Sequence, residues 1–353
     1  MNEKIIDVNV SNYEKVIAPS KLKEEMPLNE AGSLIVKKAR ENIKNIMSGK
    51  DKRKIIITGP CSIHDTKQAK EYAQKLSKLS KKVNDKFVII MRAYFEKPRT
   101  TIGWKGLIND PNINGTYDTN LGLKLARKVL LDAISLGIPC GTEFLEPFTP
   151  QFIDDLISWV GIGARTSESP THRQLASGLS SPVGFKNSTN GDVKVAINAI
   201  KSASAPQAFF GMDDEGMVCN VSTKGNKFGH IILRGGKNPN YFKEDIKNIQ
   251  NMLNDTNLND SIIVDCSHGN SGKDHKKQSD VFNDIINQIN NGNDKIIGIM
   301  IESNINEGNQ KIPNDLTEFD RLNLIHGVSI TDGCVDWNTT EKMILNNYDK
   351  LKI

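Results

Sequence analysis

The sequence predicts an α/β protein, and within that class a (β/α)8 TIM barrel with an N-terminal extension and an inserted β-hairpin. Two observations predict it. Eight short apolar runs recur between residues 54 and 302, and in most cases a segment with helical apolar spacing follows. Runs that are apolar throughout belong to parallel strands buried on both faces. Each run also closes on a polar residue, and in such a barrel the C-terminal strand ends converge on one mouth. A doubly wound open sheet is the rival, but its switch point would recruit only a few strand ends.

The elements follow in order. Residues 1–50 form an extension, with "IIDVNV" as a short strand and a helical patch after it. "NEAGSLIVKKARENIKNIMSG" reads as an amphipathic helix with Asn29 as N-cap and Ile35, Ala39, Ile43 and Ile46 as its stripe. The barrel occupies 51–353. Its strands are "KIIITGPCS" ending near Cys61, "FVIIMR" at Arg92, "PCGTEF" around Glu143 and "VGIGAR" at Arg165. Then come "PVGFK" at Lys186, "HIILR" at Arg234, "SIIVDCSH" at His268 and "KIIGIMIES" at Glu302. Helical segments are expected at 66–83, 120–136, 150–158, 192–204, 241–254 and 276–291. "AFFGM" and "MVCNVS", with the turn residues Asp213–Gly216 between them, predict an inserted hairpin within 208–229. The segment 303–326 reads as a loop, and "GVSITDGC" as a short strand that places Asp332.

Composition narrows the function. The chain has 353 residues, a net charge of +4, 37% hydrophobic and 25% charged residues, enough for a large core and only mildly basic. Lysine runs such as "KLSKLSKKVNDK" carry apolar residues at helical spacing, so they read as solvated helix faces and not as a nucleic-acid footprint. No apolar run approaches the roughly 18 residues of a membrane helix, and the first 20 residues lack a signal-peptide core. Five scattered cysteines without a CxxC suit a reduced, cytoplasmic protein.

The chemistry is expected at the mouth. "YFEKPRTTIGWKGL" (94–107) has neither helical nor strand period; its glycines and proline say loop, and its cations and hydroxyls suit an anion. Arg92, Lys97, Arg99, Arg165, Lys186 and Arg234 lie at or just past strand ends, and six cations in one mouth call for phosphate or carboxylate groups. Cys61, His268, Glu302 and Asp332 offer sulfur, nitrogen and oxygen donors, a set that fits Mn, Fe, Co, Zn or Cu better than Mg. A metal that polarises a carbonyl beside phosphate-binding cations permits carbon–carbon bond formation or phosphate hydrolysis. A Schiff-base aldolase would instead need a desolvated lysine, for which Lys97 and Lys186 are candidates. The residues alone leave that choice open.

"GPCSIHD" (59–65), "MRAYFEKPRTTIGWKGLINDP" (91–111), "GARTSES" (163–169), "PVGFKN" (182–187), "HIILRGG" (230–236), "DCSHGNS" (265–271), "IESNINEGNQ" (301–310) and "SITDGC" (329–334) resemble the type I 3-deoxy-D-arabino-heptulosonate 7-phosphate (DAHP) synthases. The resemblance is to the microbial, aromatic-amino-acid-regulated class and runs from about residue 15 to the C-terminus. It implies a transferase that condenses phosphoenolpyruvate with erythrose 4-phosphate at the entry of the shikimate pathway. It implies one divalent metal (Mn, Fe, Co or Zn) on Cys61, His268, Glu302 and Asp332. Arg92, Lys97, Arg165, Lys186 and Arg234, with the Ala164 backbone, would hold phosphoenolpyruvate. Pro98, Arg99 and Thr100 would bind erythrose 4-phosphate. Glu143 would position the attacking water, and Lys97 and Lys186 are the proton-transfer candidates. The sister 3-deoxy-octulosonate 8-phosphate synthases share the barrel but carry an Asn-bearing motif where this chain has "KPRT".

The resemblance also implies an inhibitor pocket for an aromatic amino acid, Phe or Tyr before Trp. Asp7, Glu146, Pro150, Gln151, Leu175, Leu179, Ser180, Phe209 and Gly211 stand at its positions. Glu146, where an aspartate is common, and Gly211, where some members have serine, depart from the pattern. Assembly as a homodimer or a dimer of dimers is implied in the same way. A barrel that only senses an aromatic amino acid is the non-enzyme alternative.

Overall fold

A computed structural model describes residues 5–99, 102–254, 256, 258–317 and 319–353. Ten strands follow one another: β1 (Lys54–Gly59), β2 (Phe87–Arg92), β3 (Cys140–Glu143), β4 (Ile157–Ile162), β5 (Val183–Lys186), β6 (Ala208–Met212), β7 (Val218–Ser222), β8 (Gly229–Leu233), β9 (Ile262–Asp265) and β10 (Ile296–Glu302). Eight close a parallel barrel in the order β1-β10-β9-β8-β5-β4-β3-β2; β6 and β7 form a separate antiparallel hairpin. Closure pairs Gly59 with Glu302 and Thr58 with Met91. Runs such as β1, β2 and β10 are strands because they are rich in Ile and Val and buried along their whole length.

The helices are α1 (Pro19–Glu25), α2 (Glu30–Met47), α3 (Thr66–Val83), α4 (Thr119–Ser135), α5 (Thr149–Ile153), α6 (Pro170–Gly178), α7 (Lys194–Ala203), α8 (Lys243–Asn254), α9 (Gln278–Asn290) and α10 (Trp337–Lys350). In α3 the Asp65 carboxylate caps the amides of Lys67 and Gln68 at 2.7 and 3.0 Å, worth about 1 kcal/mol. Its buried stripe of Ala69, Tyr72, Ala73, Leu76 and Leu79 faces the barrel wall. In α2, Asn29 accepts from the Gly32 amide at 2.8 Å, as the sequence predicts. Ile43, Ile46 and Met47 of α2 join Ile55, Ile57, Val88, Ile90, Trp159, Ile232 and Ile263 in one buried cluster, so the C-terminal end of this helix covers the barrel interior. Among the described residues no helix is long and apolar enough to cross a membrane.

Four expectations are corrected. "IIDVNV" is no strand: residues 5–10 are exposed and turn at Asp7, where φ is 55° and the Val10 amide donates to the Asp7 carbonyl at 3.2 Å. No neighbouring strand pairs with it among the described residues, so its alternation has no sheet to join. The helix expected at 150–158 stops at Ile153; a 3-10 turn follows, and Ile157 pairs with Cys140 as β4 begins. β4 therefore ends at Ile162, and Arg165 lies three residues beyond it. "GVSITDGC" is held by isolated bridges, Asn309 with Ser329 and Gly308 with Cys334, with Asp332 in the bend between. The helices α6 and α10 are additions to the expected set; Ser169–Pro170 opens the first and the Asp336 carboxylate caps the second through the Thr339 amide at 2.6 Å.

Candidate active site

Six of the eight polar residues expected at the strand ends line one cavity of about 140 Å³ at the mouth; Cys61 and Glu302 do not. It is lined by Arg92, Lys97, Pro98, Arg99, Ala164, Arg165, Lys186 and Arg234, and also by Glu143, His268 and Asp332. Thr100 lies outside the described residues. A wider adjoining cavity of about 910 Å³ shares Arg165, Arg234, His268 and Asp332 and adds Glu302.

The loop 94–107 owes its shape to its odd composition. Trp104 is buried, and its indole N–H donates to the Asp110 carbonyl at 2.7 Å. The Lys97 amide donates to the Lys105 carbonyl at 2.9 Å, folding the loop on itself. Gly106 has φ 111°, and a Cβ there would lie 2.1 Å from the Phe95 carbonyl oxygen, so no side chain fits. Glu96 anchors the loop: its buried carboxylate accepts from the Leu145 and Glu146 amides at 3.1 and 3.3 Å and from the Thr149 hydroxyl at 2.8 Å. Burial pushes this carboxyl up to about 7 against those hydrogen bonds. The fold thus leaves Lys97, Pro98 and Arg99 on the cavity wall.

One group of donors stands together. Cys61 Sγ and carboxylate oxygens of Glu302 and Asp332 lie within 4.8 Å of one another. Thiolate plus two carboxylates suits a divalent transition metal, so these residues fit one. His268 is outside that group of three but lines the same cavity as Asp332. Its backbone is held at φ 56°, and its Nδ1 sits 3.0 Å from Asp265 and 2.7 Å from the Ser267 hydroxyl, an arrangement that orients the ring as second partners of metal-binding imidazoles do. Burial, then Glu302, raises the Cys61 thiol, although Lys97 donates to its Sγ at 3.1 Å. Asp332 is solvent-facing at the mouth; what burial it has raises its carboxyl, but Lys97, His268, Arg92 and Arg99 together hold it below its ordinary value.

The cations differ in what they are free to do. Arg92 is buried and donates to the carbonyls of Pro60 and Cys61, to Glu302 at 3.0 Å, and stacks over Tyr94 at 3.6 Å. Burial disfavours its charge, yet Glu302 outweighs it and the guanidinium stays raised. Lys186 is buried, with its ammonium 3.2 Å from Asp265. Burial would raise Asp265, but His268 and Lys186 hold it well below the ordinary carboxylate range. Asp265 is the functional residue that sequence reasoning left out; its signal was the lone acid closing the apolar run "IIVD". Arg234 is lowered by burial despite Asp265 nearby, and Arg165 adds to the lowering. Arg165 is exposed and makes no side-chain hydrogen bond or ion pair with a described residue. Glu143 is buried and packs over Gly163, where a Cβ would sit 2.6 Å from its carboxylate.

Eight of the nine positions compared with an inhibitor pocket fall on neighbouring elements, and the ninth, Asp7, is not brought to them. Pro150 and Gln151 lie in α5, with Glu146 before it; Leu175 lies in α6, with Leu179 and Ser180 after it; Phe209 and Gly211 lie in β6. Ser177 of α6 bonds Thr223 beside the hairpin at 2.7 Å. The Ser20 amide and Lys23 of α1 bond Asp214 in the hairpin turn, each at 2.7 Å. His172 of α6 reaches the Leu145 carbonyl at 2.9 Å. Asp7 sits in the N-terminal arm, where its carboxylate accepts from Tyr13 at 2.6 Å.

Comparison with known proteins agrees with the barrel fold. The sequence pattern of the DAHP synthetase I family matches residues 26–345. The Tyr-sensitive phospho-2-dehydro-3-deoxyheptonate aldolase of Escherichia coli K12 is 46% identical over 338 residues, 96% of this chain and 94% of that protein. The phospho-2-dehydro-3-deoxyheptonate aldolase of Haemophilus influenzae is 48% identical over 339 residues, 96% and 92% of the two chains. The Trp-sensitive Escherichia coli K12 protein is 46% identical over 338 residues, 96% and 95%. The solved structure of the phospho-2-dehydro-3-deoxyheptonate aldolase from Francisella tularensis SCHU S4 superposes with a TM-score of 0.92 at 46% identity, covering 97% of this chain and 98% of that one.

Proposed function

The chain belongs to the DAHP synthetase I family, and on that premise we propose that it condenses phosphoenolpyruvate with D-erythrose 4-phosphate to give DAHP and inorganic phosphate, the first step of the shikimate pathway. One observation supports the reading: Lys97, Arg165, Lys186 and Arg234 line one cavity with Asp332, whose carboxylate lies within 4.8 Å of Cys61 Sγ and a Glu302 oxygen. The four candidate ligands Cys61, His268, Glu302 and Asp332 would hold one divalent metal of the Mn, Fe, Co or Zn type. When bound, it supplies Lewis-acid polarisation of the aldehyde oxygen.

The chain's own residues supply the rest. Arg165 and Arg234 hold the phosphate of phosphoenolpyruvate, while Arg92 and Lys186 face its carboxylate. Pro98, Arg99 and Thr100 seat the erythrose phosphate, and the Ala164 backbone completes the floor. Carbon 3 of the enol bonds to the aldehyde carbon, and Lys97 gives its proton to the new hydroxyl. Glu143 orients water against carbon 2 and takes one of its protons. The bond from carbon 2 to the phosphate oxygen then breaks, and the second water proton leaves with the phosphate. Lys97 is recharged with the proton Glu143 took, so the site returns to its starting charge. Much of the acceleration comes from positioning and fixed charge.

The same reading makes an aromatic amino acid, Phe or Tyr, the inhibitor. The relatives named Tyr-sensitive and Trp-sensitive support an aromatic amino acid as effector, as does the meeting of α1, α5, α6 and the hairpin. Exposed Ile5, Ile6, Tyr13 and Phe210 support assembly as a homodimer or homotetramer through the arm and hairpin. Five unpaired cysteines suit the cytoplasm. The test is loss of the enol absorbance of phosphoenolpyruvate with each aldose. Loss with erythrose 4-phosphate, suppressed by Phe or Tyr, is expected. Loss only with arabinose 5-phosphate would move the chain to the 3-deoxy-octulosonate 8-phosphate chemistry, and no loss with either would leave a sensor.

A further inference from the structure

The mouth continues beyond the residues that the proposed reaction uses. From Arg165, Arg234 and His268 the 910 Å³ cavity runs outward between the segment after β8 and the segment after β9. Its outer wall carries Lys237 and Lys273. Both are exposed, and neither ammonium makes a hydrogen bond or ion pair with a described residue. The carboxylates lining the cavity are Glu302 and Asp332, both at its inner end; Glu307, nearby, is engaged by His275 at 2.9 Å and Lys276 at 3.3 Å. The cavity therefore runs from a metal-type donor group, past two arginines, to two unneutralised lysines.

The walls are firmly built. A Cβ at Gly235 would lie 2.6 Å from the Asn270 amide nitrogen, one at Gly236 2.5 Å from the Gly191 amide nitrogen, and one at Gly269 2.7 Å from the Gly236 amide nitrogen. Three chain segments thus meet backbone to backbone. Asn240 and Asn187 lock them, through Gly235 N–H to Asn240 at 2.8 Å, Asn240 N–H to Asn270 at 2.9 Å and Asn187 to the Gly235 carbonyl at 3.0 Å. Lys273 is fixed at φ 64°, with its amide bonded to the His268 carbonyl at 2.7 Å. Two lysines carried on locked loops, aimed at one cavity and lacking counter-ions, present a standing positive field.

We propose that Lys237 and Lys273 form a phosphate-binding vestibule contiguous with Arg165 and Arg234, a station for the phosphate dianion that the reaction releases. This rests on the proposed condensation, which places the leaving phosphate at those arginines. Lysine suits the task as a mobile point charge, which binds phosphate without the fixed bidentate grip of arginine. A ladder of weaker cations outward from the site lets the product leave in steps.

The test uses the metal-loaded enzyme with Lys237→Gln, Lys273→Gln, the double variant, and Lys81→Gln on the far end of α3 as a charge-matched control. Inorganic phosphate is the probe, first as a product inhibitor. Its inhibition constant should rise about threefold for each single variant and roughly tenfold for the pair, with the control unchanged. A parallel fall in kcat/KM for phosphoenolpyruvate would assign the vestibule to entry of the substrate phosphate as well; a change in the inhibition constant alone assigns it to the product. Phosphate-31 line broadening by the holoenzyme reads the same site without turnover, so failure of the condensation and failure of the vestibule are told apart. Unchanged phosphate binding in the double variant, or an equal loss in Lys81→Gln, would overturn the proposal.

Discussion

Replacing Asp265 by asparagine probes the part of the site that holds its charges in place. Asp265 is fully buried, 3.2 Å from the Lys186 ammonium and 3.0 Å from His268 Nδ1, and accepts from the Ser267 hydroxyl at 2.6 Å. At an effective dielectric of 20 a unit pair at that lysine distance attracts by about 5 kcal/mol, against which desolvation of both ions must be set. Removing one partner of a buried pair costs roughly 3–5 kcal/mol, because the other charge stays buried. Asparagine keeps part of the hydrogen bonding, so the expected loss is about 3 kcal/mol by urea unfolding. Lys186→Met with Asp265→Asn should recover part of it, with a coupling of about 2 kcal/mol in a double-mutant cycle. Since Asp265 is held well below 3.8, its contribution is present above that pH and is lost as pH falls through its depressed value. A variant within about 0.5 kcal/mol of wild type, or a cycle with no coupling, refutes the argument.

Three further outcomes follow from the same geometry. Glu96 is raised from 4.5 to about 7, so wild-type stability falls as pH climbs through that window, by an amount on the order of 3 kcal/mol. Glu96→Gln should flatten that slope between about pH 5 and pH 8, and an unchanged urea-midpoint difference counts against the buried anchor. Gly184→Ala would place a Cβ 2.6 Å from Ile232 Cδ1 and 2.8 Å from His230 Nε2. It should cost about 1–3 kcal/mol in thermal unfolding, and a neutral result would mean that the barrel interior has room to yield. Lys97→Met should retain metal binding and lose turnover at least ~100-fold; normal turnover removes Lys97 from proton transfer.

Much of this architecture is legible in the sequence. Eight short runs, most of them rich in Ile or Val, become the eight barrel strands because a strand buried on both faces leaves no room for polar alternation. The hairpin is legible because Asp213–Gly216 is turn chemistry between two short β-type runs, and Asp213 does accept from the Met217 amide at 2.9 Å. What escapes is set by contacts distant in sequence. "IIDVNV" alternates like a strand, yet pairing needs a partner edge, which no local pattern reports. The α5 segment has helical spacing to Ser158, but the ladder with β3 claims Ile157 first. Asp265 is hidden by its neighbour: His268 attracts attention as a ligand, whereas the carboxylate that orients it closes an apolar strand and looks like a boundary. Glu96 is a charged residue in a cationic loop; only the fold shows that it points inward to Leu145, Glu146 and Thr149. Arg92, Glu143, Lys186 and Glu302 stood out as candidates because each closes a strand, whereas Cys61, Arg165, His268 and Asp332 lie beyond strand ends.

The most direct measurement follows phosphoenolpyruvate consumption and phosphate release by purified protein with erythrose 4-phosphate, first with EDTA and then with Mn²⁺ restored. Expected are no consumption in EDTA, recovery on metal addition, one phosphate released per enol consumed, and a product with the mass of DAHP. Full turnover in EDTA by protein shown to be metal-free, or consumption of phosphoenolpyruvate without the aldehyde, would contradict it.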